Sequence, residues 1–177
     1  MILIRIDGIK GDVEIPGYVD WFAADSVSFG VGRQIEVGGS KKRDVEVDKL
    51  DVQEMAISKT VDSATVYLML AAMKGRSLGD KAVVSVDVHM IESRDEGAKA
   101  YLKIRLENAL IKDWNLDAGD DERPNESISV WFNKACMAYW SMELDKHKAP
   151  VYTRHGPHGW DQQENKEWKL DSLSERK

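Results

Sequence analysis

Apolar and polar positions alternate from the first residues: Ile2, Ile4 and Ile6 share one parity with Leu3, Arg5 and Asp7 between them, and Gly8 ends the run. This predicts a first strand and then a turn continuing through Gly11. Within Trp21 to Gln34, Val27, Phe29 and Val31 fall on one parity and Ser26, Ser28 and Gly30 on the other, so the second predicted strand has one small, polar face. From Ile35 to Val52 charge and glycine take over. Gly38, Gly39 and Ser40 mark a turn while Val45 and Val47 still alternate, the pattern of a long hairpin standing off the body. Leu50, Val52, Met55 and Ile57 lead into a strand that ends near Lys59 and Thr60.

A single helix is predicted next. Asp62 or Ser63 can accept from the free amides of a first turn, the run Ala64 to Met73 is apolar nearly all round, and Gly75 closes it. Such a helix must be covered on most sides, by a sheet or by a neighbouring subunit. Val84, Val86, Val88 and Met90 then alternate up to a turn at Arg94 to Gly97, and Tyr101 to Leu106 forms the returning strand. That strand runs on through Leu110, Ile111 and Trp114, long enough to need a bulge or bend near Asn108. Asp117 to Asn125 is a loop, and Ile128, Val130 and Phe132 open a further apolar and aromatic stretch to Leu144. The expected result is one mainly β domain of about seven or eight strands with one helix, closed or sandwich-like. Residues 1–145 form its body, and 146–177 form a polar C-terminal arm of the same domain.

Composition narrows the function classes. At 177 residues one core suffices, and the net charge of −6 offers no basic footprint for a phosphate backbone, so nucleic acid is not an expected partner. No apolar run approaches the roughly 20 residues of a membrane-spanning helix, so membrane insertion is not expected. The N-terminus lacks a signal-peptide pattern, which implies synthesis in the cytoplasm and export, if any, by a route without a cleaved leader. Cys136 is the only cysteine, which excludes an intrachain disulfide or a cysteine-based zinc site.

No chemical motif emerges. His155 and His158 are separated by Gly156 and Pro157, which denies them helical presentation, and only Asp161 lies near as an acidic partner. His89 has no local nucleophile motif, and His147 lies between Lys146 and Lys148. Asp120, Asp121 and Glu122 lack the register of a calcium loop. Neither catalytic residues, a metal nor a cofactor is expected. Lys41, Lys42 and Arg43 at the hairpin tip suit an interaction loop. Trp131, Phe132, Tyr139 and Trp140 suit a core or subunit interface, or alternatively the stacking surface of a carbohydrate- or ligand-binding module.

The order of these elements resembles one family. IRIDGIKG (4–11), DSVSFGVGRQ (25–34), ISKTVDSATVYLMLAAMKGR (57–76), AYLKIRLENALIKDW (100–114), ESISVWFNKACMAYW (126–140) and GWDQQENKEW (159–168) are similar, in sequence order, to segments of the haemolysin-coregulated protein (Hcp) of bacterial type VI secretion. The resemblance implies a compact β-barrel of two packed sheets with one flanking α-helix. It implies a homohexameric ring, rings stacked into a tube inside a contractile sheath with a spike (VgrG) protein at the tip, and secreted effectors carried in the lumen. Ser26, Ser28 and Gly30 would then face the lumen, and the loop of Gly38, Gly39, Ser40, Lys41, Lys42 and Arg43 would meet the next subunit or ring. The chain departs from the family pattern at Glu14 to Tyr18, at Val27-Ser28-Phe29-Gly30, in the acidic 117–122 loop and after Trp168. A hydrolase made by fusion to a toxin domain is not expected, because the stretch after Leu144 is far shorter than an independent domain.

Overall fold

A computed structural model describes residues 1–37, 45–75, 84–94 and 97–175. The described strands are β1 (Ile2–Ile6), β2 (Phe22–Ala24), β3 (Ser26–Ser28), β4 (Val31–Val37), β5 (Val45–Val52) and β6 (Met55–Thr60), then, after helix α1 (Thr65–Lys74), β7 (Val84–Arg94), β8 (Gly97–Asp117), β9 (Asn125–Trp131), β10 (Lys134–Leu144), β11 (Pro150–Asp161) and β12 (Lys166–Glu167). A 3-10 turn at Asp171–Ser174 follows. The mainly β class with one helix is therefore the observed one.

All described strand pairs are antiparallel, and β8 organises them. Its first half lies between β7 and β10, while its second half, from Leu110 to Asp117, pairs with β9. The change of partner falls at Asn108, whose φ of 51° is left-handed, beside a register shift opposite Val84 and Val86. This is the bend that the long apolar run requires. One wall thus runs β12-β11-β10-β8-β7-β1-β2, and the other runs from β8 through β9 and β6 to β3. The described pairings do not make a closed barrel. Their two inner ends, β2 and β3, are successive in the chain, and the backbone changes partner from β1 to β6 at Asp25, whose amide donates to the Ser58 carbonyl at 2.8 Å. The single strand expected over Trp21 to Gln34 is accordingly three: β2, β3 and, after Phe29 and Gly30, β4.

Between the walls lies the main core, where Ile4, Ile6, Phe22, Met55, Leu106 and Val130 are almost wholly buried. Each such side chain contributes about 1.5–3 kcal/mol. Helix α1 adds Leu68 and Ala71 to this core. Asp62 accepts from the Ala64 amide at 2.9 Å, and Gly75, with φ of 61°, returns its amide to Ala71 and Ala72. The opposite side of α1 is open, for Val66, Tyr67, Leu70 and Met73 are exposed.

One buried ion pair ties α1 to the wall. Lys59 on β6 and Glu126 on β9 stand directly opposite each other, both facing inward, and Lys59 Nζ donates to Glu126 Oε1 at 2.6 Å. Lys59 also donates to the Thr60 carbonyl and pairs with Asp62, while Glu126 accepts from Thr65 Oγ1 at 2.9 Å and Trp114 Nε1 at 2.6 Å. Burying two charges is costly unless further hydrogen bonds answer them, and here both are answered. The result fixes the first turn of α1 over β6 and β9.

Residues after Leu144 build structure of their own. β11 pairs along β10 from Asp161 to Pro150, and Gly159 permits that approach, because a Cβ there would collide with the Ala135 carbonyl and the Cys136 Cα. The chain then folds back, so that Leu173, with Trp168 and Leu170, covers Cys136, Ala138 and Trp140. Lys103 fastens this strap by donating to the Glu175 carbonyl at 2.6 Å.

Candidate functional site

The wall formed by β3, β6, β9 and the second half of β8 has two faces set by strand parity. Val27, Ile57, Ile128 and Trp114 point inward to the core. The alternate residues come together outside in two cross-strand rows. One row is Ser26, Ser58, Ser127 and Asn115; the other is Ser28, Ala56, Ser129 and Asp113. Every member is exposed or half-buried. The face is thus lined by hydroxyls, a methyl and two short polar side chains.

Its margin carries one ion pair. Lys112, in the register shift of β8, donates to Glu54 Oε1 at 2.6 Å, and Ser129 Oγ donates to Glu54 Oε2 at 2.8 Å. The Lys112 and Ser129 hydrogen bonds hold the Glu54 carboxyl below its ordinary range, and Glu54 in turn raises Lys112. Both charges are thereby committed to each other.

Ser26 and Ser28 were expected on a small polar face, and both lie on this one. Gly30 lies beyond the end of β3: its carbonyl accepts from the Gln53 amide at 2.9 Å, and a Cβ there would meet Gln53 Oε1 at 2.8 Å. The six residues Gly38, Gly39, Ser40, Lys41, Lys42 and Arg43 lie outside the described residues. Sequence reading did not single out Ser58, Ser127, Ser129 or Ala56. The signal was present in the alternation of SISV (127–130), but joining it to β3 needs the pairing register.

The histidines are dispersed. His155 stacks on Tyr139 at 5.9 Å and shares a 3.0 Å hydrogen bond with Ser141, and His158 pairs with Glu167 at 3.2 Å, so the two stand on β11 with separate partners. Among the described residues no three His, Cys, Asp or Glu side chains converge. His89 is enclosed by Tyr18 and Trp21, whose rings lie 5.6 and 4.7 Å away, and burial pushes its pKa down to about 3. Burial likewise raises the Cys136 thiol beneath the strap. Trp140 is buried there too, while Trp131 is exposed.

Comparison with known proteins agrees with this architecture. Residues 3–139 match the family model described as "Type VI secretion system effector, Hcp". Among solved structures, one described as a type six secretion system protein superposes with a TM-score of 0.75 at 18% identity, covering 94% of this chain and 98% of that one. A type VI secretion system effector from Yersinia pestis gives 0.61 at 16% identity over 88% and 98% of the two chains. Hcp1 from Salmonella typhimurium gives 0.64 at 15% over 94% and 97%. No curated protein sequence matches the chain. At these identities the superpositions establish the fold, whereas the family match spans most of the chain: it belongs to the Hcp family of type VI secretion tube proteins.

Proposed function

We propose that this chain is a ring-forming tube subunit whose β3-β6-β9-β8 face lines the lumen. The observation that carries this reading is the pair of small polar rows across four strands, backed directly by the hydrophobic core. A tube wall facing moving cargo needs a surface that is wetted yet offers no deep apolar pocket and no long side chain across the bore. Serine, alanine, asparagine and aspartate supply it. Among the described residues, β3 and the second half of β8 pair on one side only, so this wall has two free edges. Unlike edges on one chain suit a heterologous contact, which closes into a ring when the rotation allows.

On this reading six copies form the ring. Rings stack within the sheath behind the spike (VgrG) protein, the 38–43 loop meets the next subunit or ring, and effectors rest against the serine rows until they are secreted with the tube. Native mass spectrometry of the purified chain tests the ring: a sixfold mass is expected, and a monomer at micromolar concentration overturns the reading. Ser127→Trp tests the lumen. It should keep the ring mass while abolishing retention of a co-expressed effector, and unchanged retention removes the lumen assignment.

A further inference from the structure

Among the described residues, strands β4 and β5 pair only with each other, and a two-stranded ribbon is marginal alone in water. Between this ribbon and the β8-β10-β11 wall lies an open apolar groove of about 300 Å3. Phe29 and Phe132 meet edge to face at 5.9 Å in its lining. Val31 on one bank is 64% exposed and Met137 on the other is 44% exposed, so apolar surface continues out of the groove. Trp160 also lines it.

The volume stands at the foot of the range for small-molecule pockets, roughly 300–1,000 Å3, and such pockets enclose most of their ligand. This groove is open along Val31 and Met137, which suits inserted side chains better than an enclosed small molecule. It also begins where the free edge of β3 ends, since Phe29 and Gly30 follow β3 directly. A neighbouring copy paired on that edge is carried against the groove. We infer that the groove is the concave half of the contact between copies: apolar side chains of the neighbouring copy fill it. This rests on the ring-forming reading above.

The test compares the wild type with Met137→Asp, Val31→Asp and Val19→Asp by native mass spectrometry and light scattering over a concentration series. Val19, 60% exposed in the loop before β2, controls for adding a carboxylate at an open apolar site. Met137→Asp and Val31→Asp should raise the concentration of half-assembly by about tenfold or more, since a charge buried at a contact weakens it steeply. Their circular dichroism should stay that of the wild type, and Val19→Asp should assemble normally. A photo-crosslinking group placed at position 137 should label a peptide of an isotopically distinct copy. If the wild type assembles and both groove variants match it, or Val19→Asp loses as much, the groove assignment falls and the ring stands. A wild-type monomer removes both. A tightly held small molecule in the wild-type mass, lost in Met137→Asp, would make the groove a ligand site and overturn the inference.

Discussion

His89 makes the fold acid-sensitive at a pH well above carboxylate titration. It lies on β7 between Tyr18 and Trp21, shares a 3.3 Å contact with the Tyr18 hydroxyl through Nδ1, and is held neutral down to about pH 3. Burial is the largest cause. The positive charges of Lys103 and Arg5 add to it, and Asp87 opposes them. In the unfolded chain the ring titrates near its ordinary 6.5, so between pH 6.5 and about 3 the unfolded state binds the extra proton. Stability from this group is therefore fully present above 6.5 and is lost as pH falls through that interval. At about 1.36 kcal/mol per unit, moving from pH 7 to pH 5 removes roughly 2 kcal/mol. The assay is urea denaturation at pH 7, 6 and 5, at one protein concentration, for the wild type and His89→Gln. The variant loses packing at every pH, but its stability should change about 2 kcal/mol less across the window. Asp12, Glu54, Asp161 and Glu167 all titrate below their ordinary values and lose stability only toward pH 4 and lower, equally in both proteins. Parallel pH profiles for the two proteins refute the argument.

Two further outcomes follow from the buried groups. Glu126→Gln leaves Lys59 with Asp62 as its one charged partner among the described residues and should cost about 3 kcal/mol in chemical denaturation, whereas the double variant Lys59→Met with Glu126→Leu should cost clearly less; a double variant as damaged as the single one refutes the desolvation argument. Cys136, 1% exposed beneath Leu173, should resist a thiol reagent in the native chain, and Leu173→Ala should speed its labelling at least several-fold by loosening the strap; equal rates would show that the strap does not control access.

Local signals were read correctly where the controlling physics is local. The parity of β1, the hairpin of β7 and β8, the bend at Asn108 and the helix stop at Gly75 each depend on a few adjacent residues. Ser26 and Ser28 share one face of β3, as the alternation predicts. What remained hidden depends on register between distant segments. Ser58 meets Ser127 and Ser127 meets Asn115 only because β6, β9 and β8 pair as they do, and no short window contains that information. Lys59 and Glu126 share parity with Met55, Ile57, Ile128 and Val130, but an isolated charge at an inward position looks solvent-facing until its partner is placed opposite. The 146–177 segment reads as a polar arm because glycine, proline and charge are poor strand formers; within it, β10 on one side and the two-residue β12 on the other hold residues 150–161 in the sheet.

A polar outer face is ordinary for an antiparallel sheet, so polarity alone does not mark a lumen. The contrast within this chain is one of side-chain length. Across β1, β7 and β8 the outer row Arg5, Asp87 and Arg105 joins long cations to a central carboxylate, with Arg5 donating to Asp87 at 2.6 Å and Arg105 at 2.8 Å. Long charged side chains solubilise a face and discourage strand addition at an edge. The serine rows omit them, and β3 ends that wall with only Ser26 and Ser28 pointing outward. A free edge left unguarded is an aggregation hazard in a protein that stays monomeric. It becomes an advantage when a defined neighbour pairs with it, because the same short side chains that leave a bore open also leave the edge accessible to the next copy. On the proposed ring-forming reading, lumen and contact both follow from one choice of residue size on one sheet.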